Sequence, residues 1–209
     1  MEKISLHSGS SALVVVAHPD DETIWMGGTI IKNPKVKWEI CVLTRGDDPD
    51  RAPKFKKVSK FLKSNGKISD LEDKGLLNIR DSIPEIKNRL SRLLSKKTFT
   101  YLFTHGYNGE YGHPRHKAVH KAMKDMVENE RVLKIENAFC FSYEMDDSKK
   151  KPIMKAIGAK NGYETKLTEK ELREKRDVIE KIYGFREDSF ESKACLNRET
   201  FIKGFKKIK

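Results

Sequence analysis

The stretch ALVVVAHPDDE occupies residues 12–22 and joins two very different kinds of sequence. Residues 12–17 are continuously apolar and rich in valine, which is typical of a buried strand in a parallel sheet. A histidine and three acids follow at once: His18, Asp20, Asp21 and Glu22. Carboxylates beside a core are costly to desolvate unless a positive charge meets them. The segment is therefore either a solvated turn, with Asp21 capping a helix, or part of a cation site.

The rest of the chain alternates apolar runs with helical patterns. Further strands are predicted at residues 36–44, 100–106 and 135–144, and helices at 55–64 and 82–94, from Pro114 and from residue 168. Capping boxes are predicted at Ser82 with Glu85 and at Thr168 with Glu171. The polar segment 146–165 is predicted to be a loop. This alternation predicts an α/β layered fold with a mostly parallel central sheet flanked by helices.

Length and charge narrow the class of protein. A chain of 209 residues is expected to form one domain, residues 1–209. Its net charge of +12 indicates either a solvated lysine-rich surface or attraction to an anionic partner. The sequence shows no RNP motif, zinc finger or arginine-rich arm, so no nucleic acid partner is expected.

Cysteine usage and hydropathy point to a cytoplasmic protein. Cys41, Cys140 and Cys195 are far apart and form no CxxC motif, as expected of reduced thiols. No apolar stretch approaches the roughly 20 residues of a membrane span. Gly27 and Gly28 do not form the GxGxxG pattern of a dinucleotide site.

The histidines suggest where the chemistry lies. Of the six in the chain, His18 and His105 each follow a predicted strand, and ligands bind at the carboxyl ends of parallel strands. Three more follow His105 closely: His113, His116 and His120. These clusters can converge at one edge of the sheet. The second cluster could instead be a solvated helix face.

Imidazole and carboxylate together are the ligands of a catalytic zinc, which keeps one position open for water. His18, Asp21 and His116 could supply three ligands, which leaves Asp20 as a base for the bound water. His113 could then stabilise an oxyanion or protonate a leaving group. Outer-shell or structural roles are expected for Glu22, His105 and His120. This set of residues predicts hydrolysis of an amide or ester.

Two segments carry a family resemblance. AHPDDE (17–22) and YNGEYGHPRHKAVH (107–120) resemble the signature motifs of the PIG-L/LmbE-like zinc-dependent de-N-acetylases. The resemblance implies a Rossmann-like fold and one Zn²⁺ per chain, with Fe²⁺ as an alternative. It assigns the metal to His18, Asp21 and His116, the general base to Asp20, and the acid or electrostatic role to His113.

The resemblance also suggests how substrate is bound. Arg45, within the Thr44–Gly46 motif, Arg51 and Tyr111 match positions that contact substrate in similar enzymes. Arg115 departs from the family pattern, which has an aspartate there. The change puts the orientation of a histidine in doubt and could bring a cation to the substrate mouth.

The leading hypothesis is a zinc-dependent N-deacetylase acting on a linear amide. Water bound to the metal would attack the N-acetyl group of an N-acetylglucosamine-bearing conjugate, either a small molecule or a glycoconjugate, and the net charge is compatible with an anionic one. Homo-oligomers also occur in such a family. Alternative hypotheses are a metal-dependent phosphoesterase, which two metals per chain would favour, and a non-catalytic sugar- or metal-binding protein.

Overall fold

The computed structural model describes residues 1–94, 96–130, 132–148 and 153–205. Within these residues, eight strands form one sheet in the order β1-β9-β10-β6-β5-β2-β3-β4, and β7 pairs with β8. The strands are β1 (Glu2–Lys3), β2 (Ser11–Val16), β3 (Lys37–Thr44), β4 (Asn65–Leu71), β5 (Thr98–Thr104), β6 (Lys134–Phe141), β7 (Tyr143–Asp146), β8 (Ile153–Ala156), β9 (Gly162–Lys166) and β10 (Arg198–Lys203).

The main sheet is mostly parallel, as predicted. The five neighbours β6, β5, β2, β3 and β4 are all parallel, and β10 runs antiparallel to both β6 and β9. β2 lies inside the parallel part, between β5 and β3. Its apolar run is fully buried because both faces of the sheet are covered.

Helices cover the two faces, and β2 shows how. Val14 and Val16 join a core cluster with Ile24 and Phe55, which belong to helices on one face. Leu13 and Val15 join the cluster on the other face. The helices are α1 (Asp21–Lys32), α2 (Arg51–Phe61), α3 (Ile79–Leu93), α4 (Gly109–Gly112), α5 (Pro114–Lys124), α6 (Glu169–Asp177) and α7 (Phe190–Ala194). α5 and α6 continue as π-helical turns at Asp125–Asn129 and Val178–Ile182.

The predicted start of α3 is wrong. Asn78, and not Ser82, is the N-cap: its side chain accepts a hydrogen bond from the Asp81 amide and donates to the Asp81 carboxylate. Ser82 lies inside the helix, where its hydroxyl donates to the Asn78 carbonyl. The Asn78–Asp81 pair provides hydrogen-bond partners for the first turn of the helix, and it lies four residues before the predicted box of Ser82 and Glu85. The box at Thr168 and Glu171 is confirmed.

The prediction of a loop at 146–165 is also wrong. The segment contains β8 and the greater part of β9, and its residues 149–152 lie outside the described part of the chain. β8 pairs antiparallel with β7, with Met154 opposite Met145. Short strands with so few buried side chains carry little apolar periodicity, so composition alone reads them as loop.

The topology brings the two motifs to one edge of the sheet. β2 and β5 are parallel neighbours, so the residues that follow their carboxyl ends, His18 and His105, lie side by side. Helices α1 and α5 begin at the same edge. In the described ranges, none of the helices combines the length and apolar character needed to cross a membrane.

Candidate active site

A cavity of about 460 Å³ opens at this edge of the sheet. Its lining includes seven of the residues predicted from sequence: His18, Asp20, Asp21, Arg45, Arg51, Tyr111 and His113. The side chains of His116, Glu22 and His105 are fully buried beneath it. The structure therefore brings both predicted motifs into one site.

Three candidate ligand atoms form a compact triangle at the base of this cavity. His18 Nδ1 lies 3.2 Å from Asp21 Oδ2 and 3.2 Å from His116 Nε2, and the last two atoms are 3.4 Å apart. Tetrahedral zinc with bonds of about 2.0–2.2 Å places its ligand atoms about 3.3–3.6 Å from each other. The atoms of His18, Asp21 and His116 therefore fit the edges of such a centre, and these residues could hold a metal ion.

The local charge also suits a cation. Burial alone would lower the pKa of His18, but its contacts with Asp21 and Asp73 outweigh burial and raise that pKa to about 9. Burial would likewise raise the pKa of Asp21, but His116 and His105 hold it well below its usual range. The surroundings therefore favour positive charge between these side chains and keep Asp21 ionised.

Two other groupings of possible ligand atoms occur within 4.8 Å: His18, His113 and His116, and Asp21, His105 and His116. Both nitrogens of His105 are already engaged. Nε2 accepts a hydrogen bond from the Ala17 amide at 2.9 Å, and Nδ1 lies 2.8 Å from Glu110 Oε2. His105 therefore lies behind the site, bonded to the Ala17 amide and to Glu110, and its outer role stays a prediction.

Glu110 is a buried residue that the sequence analysis missed. Its Oε2 lies 2.6 Å from His116 Nδ1 and 2.8 Å from His105 Nδ1, and its Oε1 accepts from the Gly106 amide. Burial would raise its pKa, but the two histidines lower it to about 2. An ionised Glu110 fixes the proton of His116 on Nδ1 and leaves Nε2 free to face Asp21. Its position inside the histidine motif was the signal that could have identified it.

Asp73 is the second residue that the sequence analysis missed. It lies on the loop after β4, where its Oδ1 is 3.2 Å from His18 Nε2 and its Oδ2 is 3.2 Å from Arg45 Nη2. Burial would raise the pKa of Asp73, but the contact with His18 lowers it. No local pattern marks this residue, because its partner is far away in sequence.

Arg115 does not reach the substrate mouth, contrary to expectation. Its side chain is buried and its guanidinium contacts Glu72 Oε2 at 3.2 Å, the Ser82 hydroxyl, and Asp73 Oδ1 at 3.7 Å. Because it pairs with these acids, the guanidinium lies between α5 and the loop after β4 and does not line the cavity.

Asp20 occupies a strained position at the start of α1. Its φ of 119° is rare for a residue with a side chain, and such strain costs about 1–3 kcal/mol. Its carboxylate lines the cavity, with Oδ2 3.6 Å from Arg51 Nη1. Burial, and then the charge of Asp21, raise its pKa above the usual range. Asp20 is placed in the cavity beside the triangle and is not one of its three corners.

His113 caps α5 with its own ring. Nδ1 accepts a hydrogen bond from the Arg115 amide at 3.2 Å, so a neutral imidazole here carries its proton on Nε2. Burial, and then the neighbouring His116 and His18, lower its pKa to about 4. The ring is therefore neutral at physiological pH and can donate one hydrogen bond.

The predicted substrate residues stand around the opening. Arg45 pairs with Asp73, and Arg51 lies between Asp20 and the ring of Phe185, 4.4 Å from its centroid. Tyr111 packs edge-on against Phe190 of α7, so the chain beyond the two motifs also forms part of the wall. Burial raises the pKa of Tyr111, which keeps the phenol protonated.

Glu22 and His120, for which outer-shell or structural roles are expected, contact different parts of the site. Glu22 accepts from the Asp20 amide, the Thr23 hydroxyl and the Tyr183 hydroxyl, and thereby supports the turn that holds Asp20. His120 instead bonds the His105 carbonyl through Nδ1 at 2.9 Å. It braces the backbone behind the site.

Comparison with known proteins identifies the family. The model of the PIG-L family, described as GlcNAc-PI de-N-acetylase, matches residues 13–127, more than half of the chain. The chain belongs to the PIG-L family. The matched range contains both motifs and the residues of the triangle.

The individual relatives are distant. An uncharacterized protein of Acanthamoeba polyphaga mimivirus is 30% identical over 130 residues, which span 54% of this chain and 56% of that protein. Among solved structures, the A40926 pseudoaglycone deacetylase Dbv21 is similar with a TM-score of 0.58 at 13% identity, covering 85% of this chain and 82% of that one. The conserved protein TT1542 of Thermus thermophilus has a TM-score of 0.56 at 19% identity, over 83% and 78% of the two chains. These structures share the fold of this PIG-L protein.

Proposed function

We propose that this PIG-L protein is a metal-dependent de-N-acetylase acting on an N-acetylglucosamine-bearing conjugate. The observation that carries the proposal is the triangle of His18, Asp21 and His116 with the Asp20 carboxylate beside it in an open cavity. Zn²⁺ suits the two imidazoles and one carboxylate, and Fe²⁺ is the alternative. When bound, such a cation polarises a carbonyl and makes water more acidic.

The protein's own residues perform the proton transfers. Asp20 accepts the proton of the attacking water as the new carbon–oxygen bond forms at the acetamide carbon. His113 donates its Nε2 hydrogen bond to the oxygen that gains charge. The carbon–nitrogen bond then breaks, and the proton held by Asp20 passes to the leaving amine. The products are acetate and a free amino sugar.

The wall of the cavity favours a hydroxyl-rich substrate. Arg45 and Arg51 are already paired with Asp73 and Asp20, so they offer hydrogen bonds without an uncompensated positive charge. Tyr111 and Phe190 supply aromatic faces on which a sugar ring can pack. The acids of the lining outnumber these two arginines, so the overall +12 charge of the chain is not a guide to the charge of the substrate.

The test is acetate release from a panel of N-acetylglucosamine conjugates, with wild-type protein and Asp20→Asn compared at equal Zn²⁺ content. We expect Asp20→Asn to bind the metal and to lose about 10²–10⁴-fold in kcat. Chelation should abolish wild-type activity, and added Zn²⁺ should restore it.

The same panel separates the alternatives. Metal binding without acetate release from any conjugate would contradict the proposal. Hydrolysis of phosphate esters by that protein would then support the phosphoesterase hypothesis. Full activity of Asp20→Asn would contradict the role of Asp20 as base.

A further inference from the structure

The two ring nitrogens of His18 face different partners. Nδ1 points to Asp21 and His116, within 3.2 Å of both. Nε2 lies 3.2 Å from the Asp73 carboxylate, which comes from the loop after β4. His116 shows the same division, with Nε2 towards Asp21 and Nδ1 towards Glu110. Each candidate histidine ligand therefore has one nitrogen in the triangle and one on a carboxylate.

The loop that carries Asp73 is held by charge. Residues 72–78 form neither helix nor strand. The Glu72 carboxylate accepts the amides of Lys74, Leu76 and Leu77 and so folds the loop on itself. Arg115 then ties the loop to the first turn of α5, the helix that carries His116, through Glu72 at 3.2 Å and Asp73 at 3.7 Å.

Arg115 is well suited to this position. Its side chain is 5% exposed, and it reaches α3 as well through the Ser82 hydroxyl. Its Nε is buried and has no hydrogen-bond partner among the described residues, although Asp73 Oδ1 lies only 3.7 Å away. A buried guanidinium needs nearby carboxylates, so Arg115 and the pair Glu72–Asp73 stabilise each other's placement.

From these contacts we infer that Asp73 and Arg115 are positioning residues for the metal ligand His18. Asp73 holds the proton of His18 on Nε2, so that Nδ1 presents its lone pair to the triangle. Arg115 acts through Asp73 by fixing the loop against α5. The inference rests on the proposed metal-dependent function and extends it to a loop that neither sequence motif contains.

The physical basis is the outer shell of metal sites. A histidine ligand donates its second N–H to a carboxylate, which fixes the ring and raises its basicity, and loss of that partner typically weakens metal binding by about 10–100-fold. A merely structural ion pair between Asp73 and its two arginines would affect folding stability without changing the affinity for metal. The two roles therefore predict different results.

The first experiment measures Zn²⁺ affinity by competition with a chromophoric chelator, for wild type, Asp73→Ala and Asp73→Asn. We expect Asp73→Ala to bind Zn²⁺ about 10–100-fold more weakly. Asp73→Asn retains an oxygen that can accept a hydrogen bond from the Nε2–H group of His18 and should recover part of the loss. Glu191→Gln is the matched control, because Glu191 is a carboxylate of the same cavity and forms no hydrogen bond or ion pair with a histidine among the described residues. The Zn²⁺ affinity of this variant should stay near that of wild type.

The second experiment tests whether Arg115 acts through Asp73. Arg115→Met should weaken Zn²⁺ binding, and combining it with Asp73→Ala should add no further loss, because among the described residues the Arg115 guanidinium reaches His18 through Asp73. Arg115→Lys keeps the charge and provides a folded variant if the methionine variant is unstable. NMR of ¹⁵N-histidine-labelled, Zn²⁺-loaded protein should show the His18 proton on Nε2 in wild type and its faster exchange in Asp73→Ala.

The outcomes separate this inference from the proposed function. Wild-type affinity in both Asp73 variants would overturn the inference and leave the deacetylase proposal intact. Additive losses from Arg115→Met and Asp73→Ala would overturn the role given to Arg115. Zn²⁺ binding that weakens as expected, in a protein that releases no acetate, would contradict the proposed function while supporting the positioning role.

Discussion

Glu110 shows how single residues prepare this site. Its carboxylate accepts a hydrogen bond from the Gly106 amide and is hydrogen-bonded to the Nδ1 atoms of His105 and His116. To reach them, Glu110 adopts φ 56° and ψ −65°, and Gly109 beside it has φ 67°. Such backbone strain persists only where the surrounding contacts repay it. Glu110 therefore sets the tautomer of the histidine that completes the triangle.

Replacing Glu110 with glutamine should damage the metal site more than the fold. Glutamine has one acceptor oxygen in place of two, so it can serve either the two imidazoles or the Gly106 amide. Its NH₂ group would then oppose the Gly106 N–H, or oppose the imidazole N–H groups and shift the proton of His116 to Nε2. We expect Glu110→Gln to weaken Zn²⁺ binding about 10–100-fold and to lower the free energy of unfolding by about 1–3 kcal/mol. Chelator competition and urea titration measure the two effects.

Glu144→Gln is a suitable control for Glu110→Gln. Glu144 pairs with Lys155 at 3.1 Å on the surface, where an ion pair contributes about 0–1 kcal/mol. This variant should keep wild-type Zn²⁺ affinity. If Glu110→Gln also kept it, the carboxylate would not orient His116.

The predicted site residues and the missed ones differ in how far the sequence alone indicates that they belong to the site. His18, Asp21 and His116 lie in two motifs that follow neighbouring strands, so their convergence follows from the parallel sheet. Glu110 belongs to one of these motifs, but its role depends on glycine-assisted turns that spacing does not reveal. Asp73 contacts His18 only because the loop after β4 folds back. The roles assigned to all of these residues remain predictions.

At the scale of elements, a buried ion pair anchors helix α1. Lys175 of α6 and Glu199 of β10 are fully buried, with Nζ and Oε1 2.7 Å apart. Glu199 also accepts the amides of Gly28 and Thr29 and the Thr29 hydroxyl. The pair therefore joins the C-terminal elements to the helix whose first turn carries Asp21.

Breaking this pair should be costly. Lys175→Met leaves the Glu199 carboxylate buried without its cation, and such a change typically costs about 3–5 kcal/mol. Urea unfolding should show this loss, and adding Glu199→Gln should cost less than the sum of the two single changes. Lys32→Met removes an exposed pair between α1 and α6, with Glu171, and should cost at most about 1 kcal/mol. A loss equally small for Lys175→Met would contradict the anchoring role.

The elements that the sequence predicts are those with a strong apolar signal. β2, β3, β5 and β6 have long buried runs, and the structure confirms all four. β4 has the sequence NGKISDL and only one fully buried residue, Leu71, because it is the edge of the sheet. The missed β8 and β9 are short, and the start of α3 was misplaced because two capping patterns compete. The three strands therefore depend on their position and pairing in a sheet, and the start of α3 depends on which capping pattern forms.

At the scale of the whole molecule, the C-terminal part completes the sheet. The family match ends at residue 127, yet β6, β9 and β10 continue the same sheet. α7 brings Phe190 to the wall of the cavity. A single cooperative domain over residues 1–209 is the simplest prediction from this continuity, and the cysteines offer a way to test it.

The three cysteines report on separate parts of the fold. Cys41 lies in β3, Cys140 in β6, and Cys195 just after α7, and all three are buried and free. Burial raises the pKa of each thiol from 9.0 to about 12. Because the folded thiols keep their protons while exposed thiols ionise near 9.0, stability should fall as the pH rises from about 9 towards 12.

Thiol labelling then tests whether the molecule unfolds as one unit. In native protein at about pH 8, we expect none of the three thiols to react quickly with a disulfide reagent, since thiolate and access are both lacking. Single-cysteine variants, in which the other two are replaced by alanine, should each become reactive over the same range of urea. Corrected for the stability of each variant, equal midpoints and slopes would mean that Cys41 and Cys195 are exposed by one transition. Exposure of Cys195 at clearly lower urea than Cys41 would instead make the C-terminal elements a separate folding unit. The Lys175–Glu199 anchor of α1 argues for the first outcome, because those elements cannot leave the sheet without stranding a buried charge.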